Sequence, residues 1–273
     1  MFRYLLIAAM VVGVGWTQLD AQEISLVSLT DHKTILLGNA DQAQPTEIKL
    51  GSPVAADQLI GLAVGDVLPQ YDGKELVVLR SDRHLEFYPF PDSKTTILKR
   101  HGYCPVANPA KRTAVAIALA EGQLLLLCER DDSGWQYAET YALDTVTLSQ
   151  AIKRSGFISL KSPDSPHQPL LRLDSAPTIS WAGVQGMVLL TTASDTFLEL
   201  YKVNKTAGQR IGHGFKQAGK TSPIAARWQN QHVVALYQDG SLVEFDQALP
   251  APRIVKVTPT QHIGVVDFVT IGQ

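Results

Sequence analysis

Apolar strands separated by short polar turns recur along the chain. The clearest example is the segment 77–90 (VVLRSDRHLEFYPF), where an apolar run precedes a polar turn with Asp82 and a second run of alternating polar and apolar residues. β-Branched and aromatic residues on both sides of a polar break predict a β-hairpin. The same pattern recurs in outline, so we predict hairpins near residues 24–37, 76–90, 123–141, 187–203 and 232–245.

The predicted hairpins follow one another at a nearly regular distance. An acidic residue marks each turn, and successive markers lie about 50 residues apart in most steps. Such a period, with β pattern throughout, is typical of propeller blades of four strands each, and no long segment has the 3.6-residue period of a helical solenoid. The markers are Asp31, Asp82, Asp132, Asp195 and Asp239.

Further apolar segments flank the hairpins and would complete the blades. Those that precede a hairpin are rich in small residues, which suit the crowded innermost strands around a propeller axis. We predict inner strands at 59–67, 113–120, 178–184 and 222–228, and outer strands at 46–50, 95–100, 169–174 and 253–257.

The two ends of the chain complete each other in this pattern. The N-terminal hairpin lacks an inner strand, and residues 262–271 form an inner strand without a hairpin after it. We therefore predict an all-β fold, a five-bladed β-propeller of four-stranded antiparallel blades, closed by pairing the C-terminal inner strand with the N-terminal hairpin. Residues 144–168 would be an insertion, although the strand-like segment 157–161 leaves a partial sixth blade as an alternative.

The N-terminus has the pattern of an export signal. Arg3 supplies a positive charge, residues 4–16 are an apolar run, and Ala21 is a small residue at which the signal could end. A signal at 1–21 would leave a propeller of residues 22–273 in the periplasm or outside the cell. The alternative is an uncleaved N-terminal anchor. No other segment is long and apolar enough to span a bilayer.

Length and charge limit the partners that the chain can have. It has 273 residues, of which 45% are hydrophobic, and a formal net charge of -2. Lys and Arg occur in runs of at most two, so the sequence predicts neither a nucleic-acid-binding face nor a polybasic membrane patch. We expect a monomer.

The chain has two cysteines, Cys104 and Cys128. In an exported protein such a pair can form a disulfide. Two unpaired thiols are equally compatible with the sequence, because Cys128 ends an apolar strand and could fill a core position.

One blade resembles a known repeat. Two segments of this blade are similar to the FG-GAP/VCBS propeller repeat: Val64-Gly65-Asp66, and Asp72-Gly73-Lys74-Glu75 with the LVV that follows. The other predicted blades keep little of this pattern. The resemblance implies a propeller fold and a structural Ca²⁺ in the loop after the inner strand. Calcium needs several converging oxygen ligands, and only Asp66 and Asp72 are present here, so we interpret Asp66 as the end of a strand and Asp72 as part of a turn rather than as calcium ligands.

The segment 214–221 (GFKQAGKT) has the spacing of a P-loop. Phosphate binding requires a strand before such a loop and a helix after it. Pro223 and a predicted inner strand follow instead, so we interpret the segment as a polar loop between blades. No cofactor is predicted.

Carbohydrate chemistry is the enzymatic alternative. Glycoside hydrolysis needs two carboxylates that face one cavity, and the inner strands offer only Asp66 and Asp267. Trp135, Trp181 and Trp228 could stack on sugar rings if exposed, or pack between blades if buried.

These patterns favour an exported, non-catalytic propeller that acts as a binding or scaffold module. Its partner would be a protein or a glycan on a loop face, and no catalytic, cofactor or metal residue is assigned. The alternative is a lectin or glycoside hydrolase that uses the central cavity.

Overall fold

Backbone pairing in the described part of the chain is almost entirely β-sheet. The computed structural model describes residues 25–39, 44–92, 94–107, 112–120, 122–131, 133, 135–161, 170–176, 188–193, 198–204, 206–213, 223–229, 232–245, 254–259 and 264–271. The export signal predicted at 1–21 lies outside these residues. No helix among them is long and apolar enough to cross a bilayer.

The strands are β1 (Ser25–Thr30), β2 (Thr34–Asn39), β3 (Thr46–Leu50), β4 (Leu59–Gly65), β5 (Glu75–Arg80), β6 (His84–Pro89), β7 (Ile97–Leu98), β8 (Gly102–Pro105), β9 (Arg112–Ala120), β10 (Gln123–Arg130), β11 (Gln136–Ala142), β12 (Gly156–Lys161), β13 (Leu170–Ala176), β14 (Val188–Ala193), β15 (Leu198–Asn204), β16 (Ala207–His213), β17 (Pro223–Gln229), β18 (His232–Tyr237), β19 (Ser241–Phe245), β20 (Ile254–Pro259) and β21 (Val265–Ile271). Two short 3₁₀ turns, Ala56–Gln58 and Leu143–Thr145, complete the described elements.

These strands form a β-propeller of four blades. Blade I has the strand order β21-β1-β2-β3-β7, blade II has β4-β5-β6-β8, and blade IV has β17-β18-β19-β20. Blade III is an eight-stranded sheet, β13-β14-β15-β16-β12-β11-β10-β9. It consists of two antiparallel halves. The halves are joined by the parallel pairing of β12 with β16, in which Leu160 lies opposite Gly208. Its edge strands β9 and β13 contact each other, so both halves reach the axis.

The prediction of five separate four-stranded blades closed into a ring by hydrogen bonds is therefore wrong. The parallel β12–β16 pairing merges the third and fourth predicted blades, and a parallel β3–β7 pairing adds a fifth strand to blade I. Strand ladders in the described chain run within blades, so they do not close the ring. The antiparallel ladder between β1 and β21, with Val27 opposite Val269, is internal to blade I.

Two predicted outer strands also have other partners. In the segment 95–100 only β7 is a strand, and it pairs with β3 of blade I, whereas β8 completes blade II. The segment predicted as the outer strand 169–174 contains β13, which pairs with β14 as an innermost strand. Both errors arise because alternation marks a strand without identifying its neighbour. The inner strand predicted at 178–184 lies outside the described residues.

The predicted insertion 144–168 has two parts in the structure. Its first part lies against blade II, where the Ser149 backbone N–H donates to the Tyr103 carbonyl at 2.7 Å. Its second part contains β12, which joins the two halves of blade III. The strand-like segment 157–161 is thus part of blade III, and residues 162–168 lie outside the described chain.

The core consists of apolar layers between neighbouring sheets. Phe87 of blade II and Leu126 of blade III belong to one such layer, and Tyr88 of blade II and Val27 of blade I belong to another. Inside blade III the two halves also pack on each other through Leu125 and neighbouring apolar side chains. Because the sheets cover each other's faces, the middle strands β5 and β10 are buried on both sides and consist of nearly continuous apolar residues.

Three hairpin turns carry a left-handed residue at the same position. The residues are Lys33, Arg83 and Gly240, with φ of 58°, 63° and 79°. This geometry fits a type I turn followed by a left-handed residue. In two cases a long basic side chain leaves the turn toward the next blade: Lys33 Nζ donates to the Ser52 carbonyl at 2.8 Å, and Arg83 pairs with Glu139. The Arg83 turn therefore connects blades II and III, and the Lys33 turn contacts the segment between blades I and II.

We expect the close approach of β12 and β16 to be sensitive to side-chain volume at Gly208. A Cβ atom there would meet Leu160 Cδ2 at 2.9 Å and the Ser159 carbonyl oxygen at 3.3 Å. Gly208→Val should therefore lower the free energy of unfolding by about 1–3 kcal/mol in a urea titration. Gln209→Val, at the exposed neighbouring position on β16, is the matched control and should change it by less than about 0.5 kcal/mol. Equal stability of the two variants would contradict the β12–β16 junction.

Candidate functional site

The two inner-strand carboxylates differ completely in environment. Asp267 on β21 is fully buried, and its Oδ2 accepts the Leu62 backbone N–H at 2.8 Å. Its Oδ1 accepts the Arg227 guanidinium at 2.6 Å and the Phe268 backbone N–H at 2.9 Å. Asp66, directly after β4, is exposed. Asp267 thus accepts hydrogen bonds from donors on three strands, and none of these hydrogen bonds involves a second carboxylate.

A small cavity lies among the inner strands. Its volume is about 180 Å³, and residues of β4, β9, β17 and β21 line it. The charged side chains of its described lining are Lys74 and Arg227, both cationic, and Trp228 supplies an aromatic wall. The lining contains no acidic side chain in the described residues, so the two carboxylates that glycoside hydrolysis needs are not found in this part of it.

A buried carboxylate, Glu75, holds the loop of the FG-GAP/VCBS-like segment. Its Oε2 accepts the backbone N–H groups of Val67 and Leu68 at 2.8 and 3.2 Å. Asp66 and Asp72 are exposed beside it. No group of three or more metal-binding side chains is present among the described residues. The first residue of β5 therefore organises this loop, a role that sequence analysis missed.

Both cysteines are buried, free thiols in the structure. Cys104 Sγ donates to the Thr147 carbonyl at 3.0 Å, and Cys128 Sγ lies 3.3 Å from a carboxylate oxygen of Glu139. Burial raises the pKa of Cys128 to about 12, although the neighbouring Arg83 opposes the shift. At neutral pH the Cys128 thiol is therefore protonated and a poor nucleophile. The disulfide between the two cysteines stays a prediction.

Several predicted features fall outside the described chain. They are the P-loop-like segment 214–221, Trp181, and the turn acids Asp132 and Asp195.

The most distinctive pocket lies at one end of the β9–β12 half of blade III. Its volume is about 220 Å³. We call it the arginine–aromatic pocket, because its lining consists of Arg112, Arg130, Trp135, Tyr137, Arg154 and Phe157. Four neighbouring strands bring these residues together.

The strand register explains how these side chains reach one face. Arg112, the first residue of β9, is opposite Arg130, the last residue of β10. Tyr137 on β11 is opposite Cys128, two residues before Arg130, so it projects to the same face. Arg154 lies just before β12.

Glu139 is the buried counterion beside this pocket. Its Oε1 accepts hydrogen bonds from Arg112 and from Arg154, the latter at 3.1 Å. Its Oε2 accepts the Arg83 guanidinium at 2.7 Å and the Tyr141 hydroxyl at 2.6 Å. One carboxylate therefore faces three guanidinium groups.

The titration behaviour of Glu139 follows from these partners. Burial raises its pKa, but the hydrogen bonds from Tyr141 and Arg83 and the charge of Arg83 outweigh burial and lower the pKa to about 2. Glu139 is thus ionised at neutral pH and cannot act as a general acid. Burial and the Glu139 charge raise the pKa of Tyr137 to about 12, which keeps its hydroxyl protonated.

Aromatic rings surround the arginines. The Arg112 guanidinium lies 5.3 Å from the Tyr137 ring centroid, and that of Arg154 lies 5.8 Å from the Phe157 centroid, both within cation–π range. Trp135 and Tyr137 lie 5.2 Å apart. Tyr137 is 3% exposed, and its hydroxyl has no hydrogen-bond partner in the described chain.

Such a lining can bind an anion, since guanidinium and phenol groups are hydrogen-bond donors and the aromatic rings offer apolar surface. The described lining contains no serine, threonine, cysteine or lysine side chain. Sequence analysis singled out Trp135 but missed Arg112, Tyr137 and Arg154, because these residues are isolated along the chain.

No known protein-family model matches the chain, and no curated protein is significantly similar to it in sequence.

We expect Glu139 to make stability depend on acidic pH. Its folded-state pKa is about 2 and its ordinary value is 4.5, so its contribution is fully present above about pH 4.5 and is lost as pH falls toward 2. Glu139→Gln should lower the free energy of unfolding at pH 7 by about 3–5 kcal/mol, because it leaves three arginines without their counterion. It should also reduce the pH dependence below 4.5, as measured by urea unfolding at several pH values.

Glu47→Gln, an exposed site on β3, is the control and should keep the wild-type profile. An unchanged acid profile in Glu139→Gln would contradict the role given to Glu139.

Proposed function

We propose that the chain is an exported, non-catalytic β-propeller that binds a glycan or protein partner on a loop face. The observation that supports this proposal most directly is the burial and hydrogen bonding of Asp267. This inner-strand carboxylate accepts two backbone N–H groups and a buried guanidinium, so it is a structural group rather than a free acid or base. Glycoside hydrolysis requires two carboxylates that face the substrate.

The binding role is supported by the arginine–aromatic pocket. Six side chains from four strands and the segments just before β11 and β12 converge there beside the β10–β11 turn. Binding sites on rigid scaffolds are concentrated at such loop ends, because the sheets hold the contacting residues in place. The axial cavity, at about 180 Å³, is the site that a lectin or hydrolase of the central-cavity type would use.

Export and the FG-GAP/VCBS likeness belong to the same proposal. The basic start and apolar run of residues 1–21 support export, and the segment 64–78 supports membership of this repeat class.

Expression of the full chain in a Gram-negative host should therefore place a shortened protein in the periplasm. Cleavage after Ala21 would leave Gln22 as the first residue, which intact mass and N-terminal sequencing of the periplasmic fraction would report. A chain without residues 2–21 is the control and should stay in the cytoplasm. A full-length, membrane-bound product would favour the anchor instead.

Asp267→Asn and Asp66→Asn distinguish a binding module from a hydrolase. We expect the wild type to release nothing from a panel of chromogenic glycosides while a glycan array or a pull-down of the exported form detects a ligand. Asp267→Asn should lower the free energy of unfolding by about 3–5 kcal/mol, because Arg227 loses its buried partner. Asp66→Asn, at an exposed position, should change it by less than about 0.5 kcal/mol.

Both variants should bind the detected ligand as the wild type does under conditions where they are folded. If the wild type instead hydrolysed a glycoside and either substitution abolished this activity, the hydrolase would replace the proposed binding module.

A further inference from the structure

We propose that the arginine–aromatic pocket binds an acidic saccharide, with the carboxylate of a uronic acid residue on Arg154 and Arg112 and its ring against the aromatic side chains. This inference rests on the proposed binding function and specifies the ligand class.

The first argument is the balance of charge. Arg83, Arg112 and Arg154 all contact Glu139, which carries a single negative charge. Arg130 adds a further positive charge to the pocket lining. A neighbouring acid, Glu129 on β10, accepts the Gln136 side-chain amide and lies on the opposite face by strand alternation. The described pocket lining thus contains three arginines and no acidic side chain, a composition that suits an anionic ligand.

The second argument is the donor capacity of Arg154. Its only hydrogen bond within the described chain is from Nη1 to Glu139, while a guanidinium has five N–H donors. Its side chain is 35% exposed at the pocket, so Nε and Nη2 can reach a ligand. A carboxylate matches this planar fork with two parallel hydrogen bonds.

The third argument is the Tyr137 hydroxyl. It is buried and without a partner in the described chain, a state that costs free energy in the unliganded protein. Tyr137 lines the same pocket as Arg112 and Arg154. A ligand oxygen that accepts this hydroxyl would remove the cost, so the orphan donor is an independent indication of a ligand.

The choice of an acidic saccharide follows from the kind of groups in the lining. Arginine and tyrosine side chains there are donors, and the described lining includes no carboxylate or amide to accept from sugar hydroxyls. This favours a sugar with a carboxylate over a neutral one. Phe157 is 40% exposed, and Trp135 is half-buried. Their faces suit a compact ring with apolar C–H groups better than a flexible acidic side chain of a peptide.

The test is calorimetric titration of the exported wild-type protein with an oligogalacturonate, a sulfated disaccharide and neutral cellotriose. We expect the oligogalacturonate to bind at least about tenfold more tightly than cellotriose, with an affinity that falls as salt rises. Stronger binding of the sulfated sugar would overturn the assignment to a carboxylate.

Variants locate the site. Arg154→Gln should weaken oligogalacturonate binding by at least about tenfold, whereas Lys153→Gln, the exposed neighbouring cation with the same change in charge, should leave it unchanged. Tyr137→Phe removes only the orphan hydroxyl, so it should weaken binding several-fold without lowering the melting temperature. Circular dichroism and the melting temperature would confirm that each variant is folded.

The outcomes separate this inference from the proposed function. Equal binding by the wild type and Arg154→Gln would overturn the pocket and leave the binding module intact. Capture of a protein partner with no glycan binding would overturn the acidic saccharide and keep the module. Hydrolysis of the oligosaccharide would overturn the proposed function itself.

Discussion

Side chains rather than strand ladders join the blades, and the buried carboxylate of Asp267 is the interaction on which this arrangement most depends. It lies in blade I and accepts donors from Arg227 in blade IV and from Leu62 in blade II. A buried carboxylate is tolerated only when such donors are in place. The three inner strands must therefore keep one relative position, and the axial cavity between them stays small.

Glu139 has a similar role farther from the axis, with a different consequence. It accepts Arg83 from the β5–β6 turn of blade II and thereby connects blades II and III. Unlike Asp267, it is surrounded by more guanidinium groups than it can neutralise. The contact that holds these blades together thus gathers arginines beside the pocket that we propose binds a ligand, so one carboxylate serves both the blade contact and the proposed site.

Prediction from the sequence succeeded where the signal is local. The alternation in the segment 77–90 identified a strand–turn–strand unit, and the repetition of that unit predicted the propeller, which the structure confirms. The blade count was wrong, because the period of a repeat does not state which outer strands pair. The parallel pairing of β12 with β16, in which Leu160 lies opposite Gly208, merges two predicted blades into one sheet.

The sequence by itself determined that the fold is all-β, and that small residues such as the alanines of β9 lie near the axis, since both follow from side-chain size and alternation along single strands. Tertiary structure decided the division into four sheets and the location of the candidate site. No sequence pattern distinguishes Arg112, Tyr137 and Arg154. Their chemistry arises from the Glu139 carboxylate that the two arginines share and from the Tyr137 hydroxyl without a partner in the described chain. Such electrostatic neighbours depend on strand register in space, which local periodicity does not encode.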